Sequence, residues 1–116
     1  MNMKVQPLEM EQGTTQPFAL DLTDANGEPY TLEIGQVLVF AVKTERNDEA
    51  RVLITTITHT VEGAYYLELA VEDTADLEPG RYYYDVKMQH GARLYPVVPL
   101  SPFTIHPTAA RLGDGA

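Results

Sequence analysis

The stretch LEPGRYYYDVKM, residues 77–88, sets a turn directly before three consecutive tyrosines, an acid, a valine, a base and a methionine. Pro79-Gly80 is a strong turn signal. Beyond it, the two-residue alternation of an extended chain places Tyr82, Tyr84, Val86 and Met88 on one face. Arg81, Tyr83, Asp85, Lys87 and Gln89 take the other. The first set is apolar and belongs inside; the second is mixed and belongs outside. The triple tyrosine therefore divides into two structural residues, Tyr82 and Tyr84, and one aromatic, Tyr83, free to meet a partner.

The same alternation recurs outward from this segment, while helical periodicity is almost missing. Residues 14–22, TTQPFALDL, put Phe18, Leu20 and Leu22 on one face, and Asn26-Gly27 follows as a hairpin turn that needs positive φ. YTLEIGQ is expected to be a short extended piece broken by a glycine. In QVLVFAVKT both faces are apolar, Leu38, Phe40 and Val42 against Val37, Val39 and Ala41, so this strand is central or covered on its outer side. A polar turn, ERNDEA, leads to the strand RVLITTITHT, which VEGA joins to AYYLELAV. HGA turns the chain into RLYPVVPLSPFTIHP, whose prolines 96, 99, 102 and 107 predict an edge strand or two short pieces split by a kink.

About seven short strands with turn signals every eight to twelve residues predict an all-β, antiparallel immunoglobulin-like β-sandwich, with a small barrel as the structural rival. Within a sandwich of that kind a tyrosine near the start of strand F bonds back to upstream backbone and closes the E–F corner. Tyr82 stands at that position behind Gly80, and Tyr84 takes the inward place that antibody domains give to a cysteine. Gly80, Tyr82 and Tyr84 are thus the expected structural corner. The domain is expected to span residues 1–106, with 107–116 a flexible tail.

A 12.9 kDa chain of 116 residues buries about two-thirds of its extended surface, enough for a core without staples. It has no cysteine, hence neither disulfides nor thiolate metal sites. Seventeen Asp and Glu against 8 Lys and Arg give a net charge of −9, which repels phosphate backbones and argues against nucleic acid. No stretch has the length of a membrane span, and the N-terminus lacks the apolar run of a secretory signal.

The frame QGTTQPFALDLTDANGEPYTL, then VLVFAVKT, then YYLELAVEDTADLEPGRYYYDVKM, and finally PFTIHP resembles the immunoglobulin-like domain of phage and prophage tail or baseplate proteins, including the N-terminal region of baseplate upper proteins. Asp24, Gly27 and Pro29 match that family's first run; Asp73, Thr74, Leu77, Gly80, Tyr82, Tyr84 and Asp85 match its second. The likeness covers roughly residues 12–106. It implies a non-catalytic virion structural role, in which the chain is made in the cytoplasm and then becomes virion-associated. Its partners would be other tail or baseplate proteins, or a second copy bound through an edge strand, with Tyr83 and Tyr95 as partner contacts and no cofactor. One departure is that baseplate proteins of this type continue into further domains, whereas this chain stops soon after its last strand.

Material for catalysis is thin. Ser101 is the one serine and lacks nucleophile-elbow glycines. His59, His90 and His106 sit on separate elements and read as surface histidines, without zinc-type spacing. Asp21, Asp24, Asn26 and Glu28 resemble a calcium loop only faintly, and turn chemistry accounts for them, as backbone capping does for Glu72, Asp73, Thr74 and Asp76. The alternative function is a carbohydrate-binding β-sandwich module using Tyr30, Tyr65 or Tyr66, Tyr83 and Tyr95. Adjacent Tyr65 and Tyr66 must face opposite ways, and the set does not converge on one predicted face.

Overall fold

The computed structural model describes residues 2–3, 5–46, 50–59 and 64–115; the side chains of Asn2, Thr58, His59 and Ala64 are outside the described set. Residues 61–63 of the expected joint and residues 47–49 of the polar turn also lie outside the described residues. In chain order the elements are β1 (Asn2–Met3), β2 (Leu8–Glu11), β3 (Gln16–Thr23), β4 (Gln36–Lys43), β5 (Arg51–Thr56), β6 (Thr58–His59), β7 (Ala64–Leu69), α1 (Val71–Thr74), β8 (Gly80–His90) and β9 (Arg93–His106).

Among the described residues the protein is all-β apart from this one short helix, and the strands form two sheets. One is four-stranded in the order β1-β3-β7-β6; the other is five-stranded in the order β2-β9-β8-β4-β5. Period-two alternation drives their packing. Leu20 and Leu22 of β3, Leu38, Phe40 and Val42 of β4, Tyr65, Leu67 and Leu69 of β7, and Tyr82, Tyr84, Val86 and Met88 of β8 all turn into one core. Phe40 sits at its centre with no exposed surface, its ring 5.4 Å from Tyr84 and 6.1 Å from Phe103.

Three features depart from the sequence expectation. The five-stranded sheet is mixed, because Leu8–Glu11 adds as a parallel strand to Phe103–His106 of β9. A four-residue strand flanked by Pro7 and the Gln12-Gly13 turn carries too little alternation to be seen alone. RVLITTITHT is not a single strand. It pairs with β4 as far as Thr56, and β6 then pairs with β7 in the other sheet. Between them Ile57 is buried and donates its N–H to the Leu38 carbonyl at 3.0 Å, so the chain changes sheets at an apolar pivot. Finally, YTLEIGQ forms no strand. The turn before it does close, with Gly27 at φ 81°, the Asp24 carboxylate accepting from the Asn26 and Glu28 amides, and one bridge between Thr23 and Pro29.

The proline-rich last strand runs unbroken for 14 residues. Pro96, Pro99 and Pro102 all precede the first β2 partner, Phe103. The half that lacks amide donors is therefore the half with one open side, while the half that accepts β2 carries none of them. Register shifts against β8 between Tyr84 and Lys87 absorb the Pro99 region.

Candidate functional site

Gly80 opens β8 at φ 149°, a backbone conformation that suits glycine because a β-carbon is strained there. Two residues on, Tyr82 is 7% exposed and its hydroxyl donates to the Glu78 carbonyl at 2.7 Å. Tyr84 is buried and its hydroxyl donates to the Gln6 carbonyl at 2.5 Å, tying the crossing between β1 and β2 to the core. Burial, reinforced by the negative charge of Glu78, pushes the Tyr82 phenol above its ordinary pKa. Burial also raises that of Tyr84, against hydrogen bonds to Gln6 and Ser101 that lower it.

The helix after β7 is held at both ends. Asp73 accepts the Ala70 amide at 2.7 Å, and fully buried Thr74 accepts the Gly13 amide at 2.9 Å from the turn after β2. Other tyrosines are similarly committed. Tyr65 has no exposed surface and its hydroxyl accepts the Leu32 amide at 2.7 Å, whereas neighbouring Tyr66 points out. Tyr30 is half-buried and donates to Gln36, whose side chain also accepts the Glu33 amide.

Tyr83 and Tyr95 are not brought together. Tyr83 pairs with Pro102, and Tyr95 with Met88 five residues further along β8, a separation of roughly 17 Å at about 3.4 Å per residue. Tyr83 is half-buried, with the Arg46 guanidinium 5.4 Å over its ring, a cation–π arrangement. Tyr95 is exposed and accepts a long hydrogen bond from Arg93 at 3.4 Å.

What the fold does assemble is the outer face of the five-stranded sheet. The register sets Val37 beside Gln89, Val39 beside Lys87, Ala41 beside Asp85 and Lys43 beside Tyr83. On the other side β5 brings Arg51 beside Lys43 and Ile54 beside Ala41. The result is a groove of about 290 Å³ with an apolar floor of Val39 and Ala41 and walls including Lys43, Arg51, Lys87 and Leu94. Val37, Ile54 and Leu94 are large apolar side chains left open to water around it. Lys87 pairs with Asp85 two residues back on the same face. The sequence signal for this surface was the doubly apolar β4: the strand is central, yet Val37 on its outer face stays 41% exposed.

The described serine and histidine side chains lie apart. Ser101 is buried and its hydroxyl donates to the Pro99 carbonyl. His106 lies 3.3 Å from Glu9 at the β2–β9 edge, while His90 is at the opposite end of β9, beside Gly35. Among the described residues no three His, Asp or Glu side chains group to hold a metal ion, and no helix is long and apolar enough to cross a membrane.

No family model matches the chain, and no curated protein matches it. Solved structures do: 33 chains match. One is the endo-β-1,4-mannanase from Thermotoga petrophila, 12% identical with a TM-score of 0.50, over 92% of this chain and 20% of that one. The chain thus spans a fifth of that enzyme's length, and at this identity the likeness concerns the fold alone.

Proposed function

We propose that this chain is a non-catalytic structural or protein-interaction module of a phage or prophage tail or baseplate, built on an immunoglobulin-like sandwich and virion-associated. The fold reading is supported by strand order. Lettered along the chain, β1-β3-β7-β6 follows the A-B-E-D sheet, and β9-β8-β4-β5 follows the G-F-C-C′ sheet of variable-type domains. On this lettering the first strand is shared between the sheets as β1 and β2, which is how a parallel pair enters a family of antiparallel ones. Tyr82, at the head of the F-equivalent strand and bonded to Glu78, stands where a tyrosine corner stands.

The observation that carries an interaction role is the uncovered apolar groove on the central strands β4 and β8. A central strand apolar on both faces is costly to leave in water, and such a surface marks a contact site. The tail and baseplate assignment rests on the sequence resemblance over residues 12–106. Purification of tailed particles from induced source cells tests it. The chain should co-purify with intact particles at stoichiometric level, and its gene should lie among tail and lysis genes. A soluble chain absent from intact particles would overturn the reading.

The alternative, a carbohydrate-binding module, draws on the mannanase likeness at the level of fold. Against it, Tyr65 is buried, Tyr30 is engaged with Gln36, and Tyr66, Tyr83 and Tyr95 lie on separate surfaces, so no aromatic platform forms. Selective glycan-array binding abolished by Tyr83→Ala would reverse that ranking.

A further inference from the structure

The strand-borne cations are segregated to one sheet. Lys43, Arg51, Arg81, Lys87 and Arg93 are every lysine and arginine carried by a described strand, and all lie in the five-stranded sheet. Three of them line the groove, where the one acidic group, Asp85, is already paired with Lys87. The strands of the four-stranded sheet carry no lysine or arginine. Its outer face presents Asp21 and Glu68 around Ala19 and exposed Tyr66, which pair directly across β3 and β7. Each face thus offers what the other lacks: an apolar centre with cations at its margin, and an apolar centre with carboxylates at its margin.

We propose that the groove face of one copy docks on the outer β3–β7 face of a second copy, a head-to-tail contact between different surfaces. This rests on the reading of the chain as an interaction module and names its partner as the chain itself. Such a contact uses two patches per molecule, so it propagates into a ring or an open stack rather than stopping at a dimer. Face docking also leaves the proline-bearing edge of β9 unused, in keeping with the amide donors missing there.

The contact is weak by construction. With β3 of eight residues and β7 of six, the smaller face covers on the order of 200 Å², at about 3.3 Å per residue and 4.8 Å between strands. Standard interfaces use about 800 Å² per partner. A net charge of −9 on each copy adds long-range repulsion, which salt screens beyond about 8 Å at physiological strength. Association therefore depends on concentration, and loses its charge-pair component at high salt.

The test is sedimentation of the full chain over a wide concentration range with two double variants, Lys43→Glu/Arg51→Glu and Asp21→Lys/Glu68→Lys. Wild type should form growing oligomers. Each variant alone should be monomeric, its affinity reduced at least about tenfold. A mixture of the two should regain growth as an alternating stack, because the reversed charges again face opposite charges at both contacts. Mixing either variant with wild type should cap the stacks at shorter lengths, because each keeps one working face. Circular dichroism establishes that both variants are folded.

A wild type that stays monomeric at millimolar concentration overturns the proposal, and so does an oligomer that neither variant disturbs. A monomeric wild type that binds polyglutamate through Lys43 and Arg51 assigns the groove to an acidic partner other than itself, which also overturns it. None of these results alters whether the chain is found in tailed particles, so the two readings fail separately.

Discussion

The Tyr82 hydroxyl and the Glu78 carbonyl lie 2.7 Å apart across the Pro79-Gly80 turn, so the residue that starts the inner face of β8 also staples the turn that precedes it. Tyr82→Phe keeps the ring in the core and removes only the donor. Equilibrium urea unfolding should show a loss of about 1–2 kcal/mol, the range for a lost hydrogen bond with a stranded acceptor. Unchanged stability would mean that water replaces the phenol at Glu78.

Tyr84 makes the longer connection, from the middle of β8 to Gln6. Tyr84→Phe should cost about 1–2 kcal/mol as well. Its distinguishing effect is local: amide exchange in Leu8–Glu11 should accelerate more than in Gln36–Lys43. Uniform acceleration would show that Tyr84 acts through the core alone.

Thr74 ties α1 to the turn after β2 through the Gly13 amide, with no exposed surface of its own. Thr74→Val is nearly isosteric and leaves that amide without its partner, at about 1–3 kcal/mol. Thr74→Ser should retain most of the stability. Equal losses in the two variants would assign the cost to packing.

Alkaline pH offers a fourth test. The folded pKa values of Tyr82 and Tyr84 are raised, chiefly by burial. Their contribution to stability is therefore complete below the unfolded tyrosine pKa of about 10 and is lost as pH rises through the folded values. Between pH 9 and 11.5 the wild type should lose more unfolding free energy than the Tyr82→Phe/Tyr84→Phe variant. Parallel pH profiles would show that ionisation of these two phenols is not what weakens the fold.

The residues 77–88 disclosed a good deal unaided. Parity alone placed Tyr82, Tyr84, Val86 and Met88 inside, and all four are buried. It likewise required Tyr65 and Tyr66 to part company, and Tyr65 is the buried one. Of the candidate site, the doubly apolar β4 was legible as a central strand, but its open outer face was not. Alternation tells which way a side chain points and is silent on whether another layer lies above it. Tyr83 shows the same limit: its outward direction was readable, and the Arg46 guanidinium stacked over it was not.

By itself, then, the sequence determined the all-β class, the inner faces of β3 and β8, the turn at Asn26-Gly27 and the acidic balance of the chain, all of which follow from local periodicity and residue chemistry. Tertiary structure alone decided that Leu8–Glu11 adds parallel to β9, that Ile57 carries the chain from one sheet to the other, and that the strand-borne cations gather in one sheet. The reason is physical. Ladder hydrogen bonds join backbone groups that every residue but proline shares, so no side chain records which strand lies alongside, and only the packing of both sheets on Phe40, Tyr84 and Phe103 selects the partners.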